Sequence, residues 1–349
     1  MAAELSDRPL IALTMGDPCG VGPEVLVRAL ADPGVTHACR PLVMGDLSAL
    51  RRAARLLGAP LAFRPVTDVS EIASQEKAIP VFRPSRLDES QIPYGRPSAQ
   101  ACRATIDYIE TAAHLALQGQ VGAVVTGPIN KEALHRNGFS FPGHTEFLQH
   151  LCGASRVVMM LAGPRLRVAL VTIHCALRQV PERLMAPSLE ETIRISLEAL
   201  QRDFGIRRPR LAVAGLNPHA GEAGRFGTED KDIIEPVVRS VDRLCRPCRV
   251  LGPYPPDTVF TRAYQGEFHA VVAMYHDQGL IPVKLVHFDE AVNVTLGLPI
   301  VRTSVDHGTA YDIAGQGKAR PSSLLHAIRA AVSMARSRAL WKREDGTPC

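Results

Sequence analysis

The sequence predicts an α/β protein, a two-lobed layered fold built around a mostly parallel sheet. Short β-rich runs alternate with stretches of helical period through most of the chain, the pattern of strand–helix–strand units. The chain has 349 residues, more than the roughly 250 to 300 at which a single core stops growing, so two lobes are expected. Hydrophobic residues make up 46% and charged residues 21%, a balance that fills such a core and excludes wholesale disorder.

Taken in order, residues 10–15 form a strand that runs into a glycine-rich turn, and Pro23 stands at the first position of a helix over 24–30. A short strand at 41–44 precedes a helix at 47–57. The proline-rich stretch 60–97 lacks sustained periodicity and predicts short strands and loops. Alanines and spaced apolar residues at helical period predict a long helix at 99–117. Residues 121–126 are a strand. The runs 157–162 and 166–173, joined through Gly163, Pro164 and Arg165, read as a hairpin or as tightly linked strands, and the hairpin predicts antiparallel edges on the sheet. A helix at 189–204, buried strands at 211–215 and 270–274, and a closing helix at 322–336 complete the pattern.

Basic residues number 40 against 35 acidic, a formal charge of +5, with 34 Arg to 6 Lys and no block of like charge. That predicts no nucleic-acid or membrane partner, while leaving room for local capture of a small anion. The longest apolar runs fall far short of the roughly 20 residues that span a bilayer. Glu4 and Asp7 precede Arg8 without a signal-peptide pattern, so a cytoplasmic protein is expected. The eight cysteines, at 19, 39, 102, 152, 175, 245, 248 and 349, are then expected to be thiols.

The most informative pattern is where polar residues fall. His174, His219 and His276 each stand just past the C-terminal end of an apolar run. In open α/β sheets that edge is where ligands bind. Three neutral imidazoles suit zinc or a similar divalent ion and leave a position for substrate, although each alone reads equally as a surface or capping histidine. The stretch Pro142-Gly143-His144-Thr145-Glu146 opens a helical run whose N–H groups could hold an anion, or simply starts a helix. The turn at 16–22 is neither a GxGxxG fingerprint nor a P-loop, and close backbone packing explains it without a ligand. Lys284, Asn293 and Arg302 border short apolar runs and together make a grip for phosphate or carboxylate. The CxxC at 245–248 lacks a second half and reads as incidental. Cys19 and Cys175 read as space-fillers.

Several of these motifs resemble one family. Gly-Asp-Pro-Cys-Gly-Val-Gly-Pro-Glu (16–24), Thr-Gly-Pro-Ile-Asn-Lys (126–131), Phe-Pro-Gly-His-Thr-Glu-Phe-Leu (141–148), Gly-Leu-Asn-Pro-His-Ala-Gly-Glu (215–222), Met-Tyr-His-Asp-Gln-Gly-Leu (274–280), Val-Asn-Val-Thr-Leu-Gly-Leu-Pro (292–299) and Arg-Thr-Ser-Val-Asp-His-Gly-Thr-Ala (302–310) occur in this order. They resemble the 4-hydroxythreonine-4-phosphate dehydrogenase family of pyridoxine and pyridoxal phosphate biosynthesis, over about residues 9 to 336.

The resemblance implies a fold similar to the isocitrate and isopropylmalate dehydrogenases, with the active site in an inter-domain cleft. Residues 1–125 and 300–349 would form the nucleotide-side domain, and 126–299 the domain of metal, substrate and dimer contacts. It implies NAD as cofactor and one divalent ion (Zn2+, Co2+, Mn2+ or Mg2+) on His174, His219 and His276, drawn from both subunits of a homodimer. His144, Thr145, Lys284, Asn293 and Arg302 would bind the phosphorylated substrate. His307, Gly308, Thr309, Ala310, Asp312 and Gly315, which echo the nucleotide-loop signature of those dehydrogenases, would hold NAD. Asp257, Lys284 and His144 are the implied catalytic residues, with Asp257 a proton acceptor or an orienting partner; a turn-capping aspartate is the plain alternative.

The implied reaction oxidises 4-phosphohydroxy-L-threonine to 2-amino-3-oxo-4-(phosphooxy)butanoate, which decarboxylates to 3-amino-2-oxopropyl phosphate. Two departures from the usual motifs, at 15–18 and 173–179, resemble relatives that act on 4-phospho-D-threonate or 4-phospho-D-erythronate in sugar-acid catabolism. A branch acting on aromatic dihydrodiols fits less well, because the intact His144-Thr145-Glu146 suits a phosphorylated ligand. A metal-dependent aldolase or hydrolase without nucleotide, or a non-catalytic binding protein, is the alternative class.

Overall fold

The computed structural model describes residues 8–73 and 77–343. Glu4, Asp7 and Cys349 lie outside them. Strands β1 (Leu10–Thr14), β2 (Arg40–Met44), β3 (Phe63–Val66), β4 (Ile79–Phe82) and β5 (Ala123–Thr126) come first. Then follow β6 (Val158–Ala162), β7 (Arg167–Leu170), β8 (Arg210–Ala214), β9 (Arg249–Tyr254), β10 (Ala270–Ala273), β11 (Val292–Leu296) and β12 (Arg302–Ser304). The helices Leu47–Leu57 and Ala99–Leu117 begin and end where periodicity places them. Ser98 caps the latter by accepting from Ala101 N at 3.0 Å, and Gly58 ends the former in the left-handed region.

The chain forms two compact units. The first runs to Ser155 and resumes over Leu298–Arg336; the second is Arg156–Gly297 with the residues from Ser337. The division thus falls at 155/156 and not at 125/126. Residues 126–155 stay with the first unit because helices Lys131–Arg136 and His144–Leu151 pack on helix Ala99–Leu117.

In the first unit the strand order is β3-β4-β2-β1-β5-β12, parallel throughout. β1 and β5 are buried along their whole length, as near-continuous apolar runs in parallel sheets are. In the second unit the order is β11-β6-β7-β10-β8-β9. The 163 hairpin is present, with β6 antiparallel to β7. But β6 also pairs antiparallel with β11, so the antiparallel strand is interior and not an edge. Its Met160 and Leu161 are fully buried, which demands neighbours on both sides. The remaining strands of this unit are parallel, and Val168, Val271 and Ala212 share a core with Phe260, Leu280 and Val283.

The last helix is Ser322–Arg343, seven residues past the expected end at 336 (343 − 336). Arg338 donates from Nε and Nη2 to Asp203 at 2.7 and 2.9 Å, both side chains being buried. A polar run that reads locally as a helix end is therefore held in the interior by a partner 135 positions away.

Six cysteines (19, 39, 102, 152, 175 and 245) are free thiols. Cys248 is disulfide-bonded, contrary to the expectation that every cysteine is a thiol. The CxxC does not close on itself: Cys245 is a free thiol whose Sγ lies 4.0 Å from the carbonyl oxygens of Asp242 and Cys248.

Candidate active site

β10 lies between β7 and β8 and is parallel to both, with Ala273 opposite Leu170 and Val272 opposite Val213. The C-terminal ends of three adjacent strands therefore point the same way. His174, His276 and His219 follow those ends by four, three and five residues (170→174, 273→276, 214→219). The backbone stays paired beyond β7, where Val171 N donates to Ala273 O and Thr172 N to Met274 O. Thr172 Oγ1 adds a bond to Met274 O at 2.7 Å. Gly279 lets the helix His276–His287 approach this edge, since a Cβ there would lie 2.7 Å from Leu170 Cδ2.

The result brings the His174 and His276 rings to 5.9 Å between centroids, on a cavity of about 710 Å³ also lined by Ile173, Cys175, Tyr275 and Asp277. His276 Nδ1 lies 2.7 Å from Asp277 Oδ1. A proton on Nδ1 donates to that carboxylate and leaves the Nε2 lone pair for a ligand, the usual arrangement around a metal-binding histidine.

His219 does not join the pair; its ring faces Phe226. It opens a turn in which His219, Ala220, Gly221, Glu222 and Ala223 all have positive φ, between 43° and 79°. Four carry side chains, and the left-handed conformation costs each roughly 1–2 kcal/mol. Asp230 and Asn217 tie down the residues before the turn. Among the described residues no three His, Cys, Asp or Glu groups converge to hold a metal ion.

In the first unit, Arg302 on β12 is 2% exposed, and Nη2 donates to Thr126 Oγ1 at 2.7 Å. Burial lowers its pKa to about 10, against the opposing pull of Glu146, so it is still a cation at neutral pH. His144 opens helix His144–Leu151. Burial first, then the charges of Arg302 and Lys131, push its pKa well below the ordinary histidine value. His144 Nε2 is a buried atom with no hydrogen-bond partner; in the second unit the same holds of Asn293 Oδ1 on β11. Lys131 lies over the same helix start, for a Cβ on Gly143 would sit 3.3 Å from its Nζ. Two cations and a helix N-terminus, with an unsatisfied neutral imidazole and the Glu146 carboxylate beside them, could hold an anion.

Of the other expected residues, Thr145 is half-buried in that helix start. Asp257 is exposed in the first turn of helix Pro256–Tyr264, and Lys284 is half-buried on helix His276–His287.

The segment 307–315 follows β12. His307, Gly308 and Asp312 are exposed on it, and Thr309 is buried. Its anchors were not singled out from sequence. Glu24, fully buried, accepts from Gly315 N at 2.6 Å and from Gly317 N at 2.9 Å. Asp17 accepts from the Tyr311 hydroxyl. Val21 N donates to Thr309 O, and Gly20 packs so closely that a Cβ would lie 2.7 Å from that oxygen. The glycine-rich turn at 16–22 is thus a platform for this loop. Both carboxylates lie in a motif visible in the sequence, but nothing local says that their partners are nearly 300 residues away. Burial raises the Cys19 thiol to about 12, which fits a space-filler.

This arrangement has close relatives. A protein of Trichlorobacter lovleyi named 4-hydroxythreonine-4-phosphate dehydrogenase is 49% identical over 334 residues, 95% of this chain and 99% of the relative. A D-threonate 4-phosphate dehydrogenase of Cupriavidus necator is 46% identical over 332 residues, 95% and 98% of the two chains. The crystal structure of a 4-hydroxythreonine-4-phosphate dehydrogenase from Klebsiella pneumoniae superposes with a TM-score of 0.86 at 43% identity, covering 94% of this chain and all of that one. The profile of the pyridoxal phosphate biosynthetic protein PdxA matches residues 37–331, and the chain belongs to the PdxA family.

Proposed function

We propose that the protein is a metal-dependent, NAD-linked dehydrogenase that oxidises 4-phosphohydroxy-L-threonine to 2-amino-3-oxo-4-(phosphooxy)butanoate. That product loses carbon dioxide to give 3-amino-2-oxopropyl phosphate. The observation that carries this reading is the buried Arg302 beside the unsatisfied His144 Nε2, in a chain 49% identical to a dehydrogenase of that name.

Arg302, Lys131 and the amides at the start of helix His144–Leu151, with Thr145, hold the phosphate. Neutral His144 offers one directed hydrogen bond and no competing charge. Asn293 supplies an acceptor through Oδ1. Lys284 and Asp257 are the groups that take and return protons. His174, His219 and His276 would hold a divalent ion, which would supply Lewis acidity at the hydroxyl to be oxidised, and NAD would supply the hydride acceptor. The Asp277–His276 pair fits the first of these roles, and the exposed His307, Gly308 and Asp312 on a tied-down loop fit the second.

Two copies of the chain complete the ligand set, since His219 stands apart from the facing pair within one chain. The helix that begins at His276 supports this, with Ile281, Leu285 and Phe288 65%, 83% and 70% exposed. A cytoplasmic setting agrees with six free thiols and is opposed by the disulfide at Cys248; no helix among the described residues is long and apolar enough to cross a membrane.

The 46% identity to a D-threonate 4-phosphate dehydrogenase favours a second reading, oxidation of 4-phospho-D-threonate or 4-phospho-D-erythronate by the same residues. NADH formation by metal-reconstituted protein with each of the three phosphorylated substrates separates them. A preference of about a hundredfold in kcat/KM, or ~2.7 kcal/mol, assigns the substrate. No turnover of any of them overturns the phosphate-substrate reading.

A further inference from the structure

We propose that Asp230 is the positioning residue for His219, holding the left-handed turn so that the imidazole can ligate a divalent cation. The inference rests on the metal reading above and concerns a residue outside the proposed ligand set.

Asp230 is 2% exposed, and its carboxylate is used on both oxygens. Oδ1 accepts from Leu216 N at 2.8 Å; Oδ2 accepts from Asn217 N at 3.1 Å and from Asn217 Nδ2 at 2.9 Å. These are the last residues before Pro218 and His219, so the carboxylate fixes the direction in which the chain enters the turn. Glycines sit against it on two sides. A Cβ on Gly215 would lie 2.6 Å from Asp230 Oδ1, and one on Gly221 would lie 3.3 Å from Oδ2. The carboxylate therefore fills the hollow around which residues 215–221 fold.

Five consecutive residues at positive φ do not hold their shape by local preference, because L side chains favour the right-handed region. Something outside the turn has to specify it. A carboxylate does this where an amide does not. Three donors converge on Asp230, and an asparagine there would turn an NH2 group towards at least one of them. The exposed His219 ring has Phe226 as its ring neighbour, and the backbone of the turn sets the direction in which it leaves the chain.

The test is Co2+ affinity of the metal-free full-length protein, by competition with a chromophoric chelator and from the visible Co2+ spectrum. Asp230→Asn is expected to weaken Co2+ binding by about 10- to 100-fold, the usual effect of losing a group that orients a metal ligand. Asp203→Asn, which breaks a buried ion pair elsewhere in the same unit, should leave the affinity within twofold well below its unfolding temperature. Unchanged affinity and spectrum in Asp230→Asn, or equal weakening in Asp203→Asn, overturns the proposal. If Asp230→Asn does not fold, Asn217→Ala removes one of the three bonds, together with the bond from Asn217 Nδ2 to Glu229 Oε2, and should weaken binding several-fold; an unchanged value overturns the proposal in the same way. His219→Ala separates the two levels. If it leaves Co2+ binding intact, the metal reading fails and the proposal with it. If it weakens binding while Asp230→Asn does not, only the role of Asp230 fails.

Discussion

The Gln278 side chain donates from Nε2 to Gly215 O at 2.7 Å, and its Oε1 accepts from Met274 N at the same distance. Gly215 leads to His219 and Met274 to His276, so a single amide ties two histidine-bearing strand ends. Gln278→Leu leaves both backbone groups without this partner, at a cost of about 1–3 kcal/mol for each group that stays buried. Chemical denaturation should show a lower midpoint, and Gln278→Glu, which keeps the acceptor for Met274 N, should fall between. An unchanged midpoint in Gln278→Leu would mean that the tie contributes nothing.

His144 should make stability depend on pH on the acid side. In the unfolded chain histidine takes up a proton near pH ~6.5, whereas burial and the nearby cations keep the folded His144 neutral well below that. The unfolded state then binds more protons, so stability falls as pH drops from about 6.5 towards the lowered folded value. The unfolding temperature of His144→Gln should fall less between pH 7 and pH 5 than that of the parent. Parallel profiles would contradict a buried neutral imidazole.

Removing the charge of Arg302 should act on the phosphate end of the substrate. Arg302→Met is expected to lower kcat/KM for the phosphorylated substrate about a hundredfold or more, or ~2.7 kcal/mol. Arg302→Lys should recover only part, because a single ammonium cannot match a bidentate guanidinium. Inorganic phosphate should inhibit the parent and not Arg302→Met. Equal inhibition of both would place the phosphate elsewhere.

The buried pair Asp203–Arg338 should be costly to break. Burial raises the Asp203 pKa, but hydrogen bonds and charge from Arg338 and Arg202 more than offset this and leave it below the usual carboxylate value. Arg338→Met leaves the carboxylate to Arg202 alone, which donates to both its oxygens, and should destabilise by about 1.5–3 kcal/mol, the worth of a hydrogen bond to a charged group. In the parent the stabilisation is complete above the unfolded pKa near ~4 and is lost as pH falls through the lower folded value. Arg338→Met should therefore show a flatter acid limb in its stability profile. A loss below 1 kcal/mol would show that solvent reaches the pair.

Leu285, 83% exposed, tests the second copy. Leu285→Arg should shift sedimentation from dimer to monomer and reduce dehydrogenase activity at least tenfold at low protein concentration, with little change in far-ultraviolet circular dichroism. A parent that sediments as a monomer with full activity would rule out a shared site.

Much of the chain was legible from neighbours in sequence. The helices at 47–57 and 99–117 follow from apolar period, a serine cap at 98 and a glycine stop at 58. The short strands at 63–66 and 79–82 were expected only as loosely as the prolines around them allowed. The histidines at the strand ends could be read because each stands three to five residues past a buried run. Long ordered motifs identified the family before any contact was known.

What the sequence by itself determined is therefore local: which segments are strands or helices, and which polar residues stand at their ends. Only the tertiary structure decided that β10 runs between β7 and β8, which brings His174 to His276 and leaves His219 apart. It also decided that Glu24 anchors Gly315 and that Asp203 draws the last helix inward through Arg338. The same packing holds five residues left-handed at 219–223, where only Gly221 signals such a turn. The reason is physical. Strand order, buried ion pairs and backbone strain are set by groups tens to hundreds of residues apart, and periodicity within a window carries no information about them.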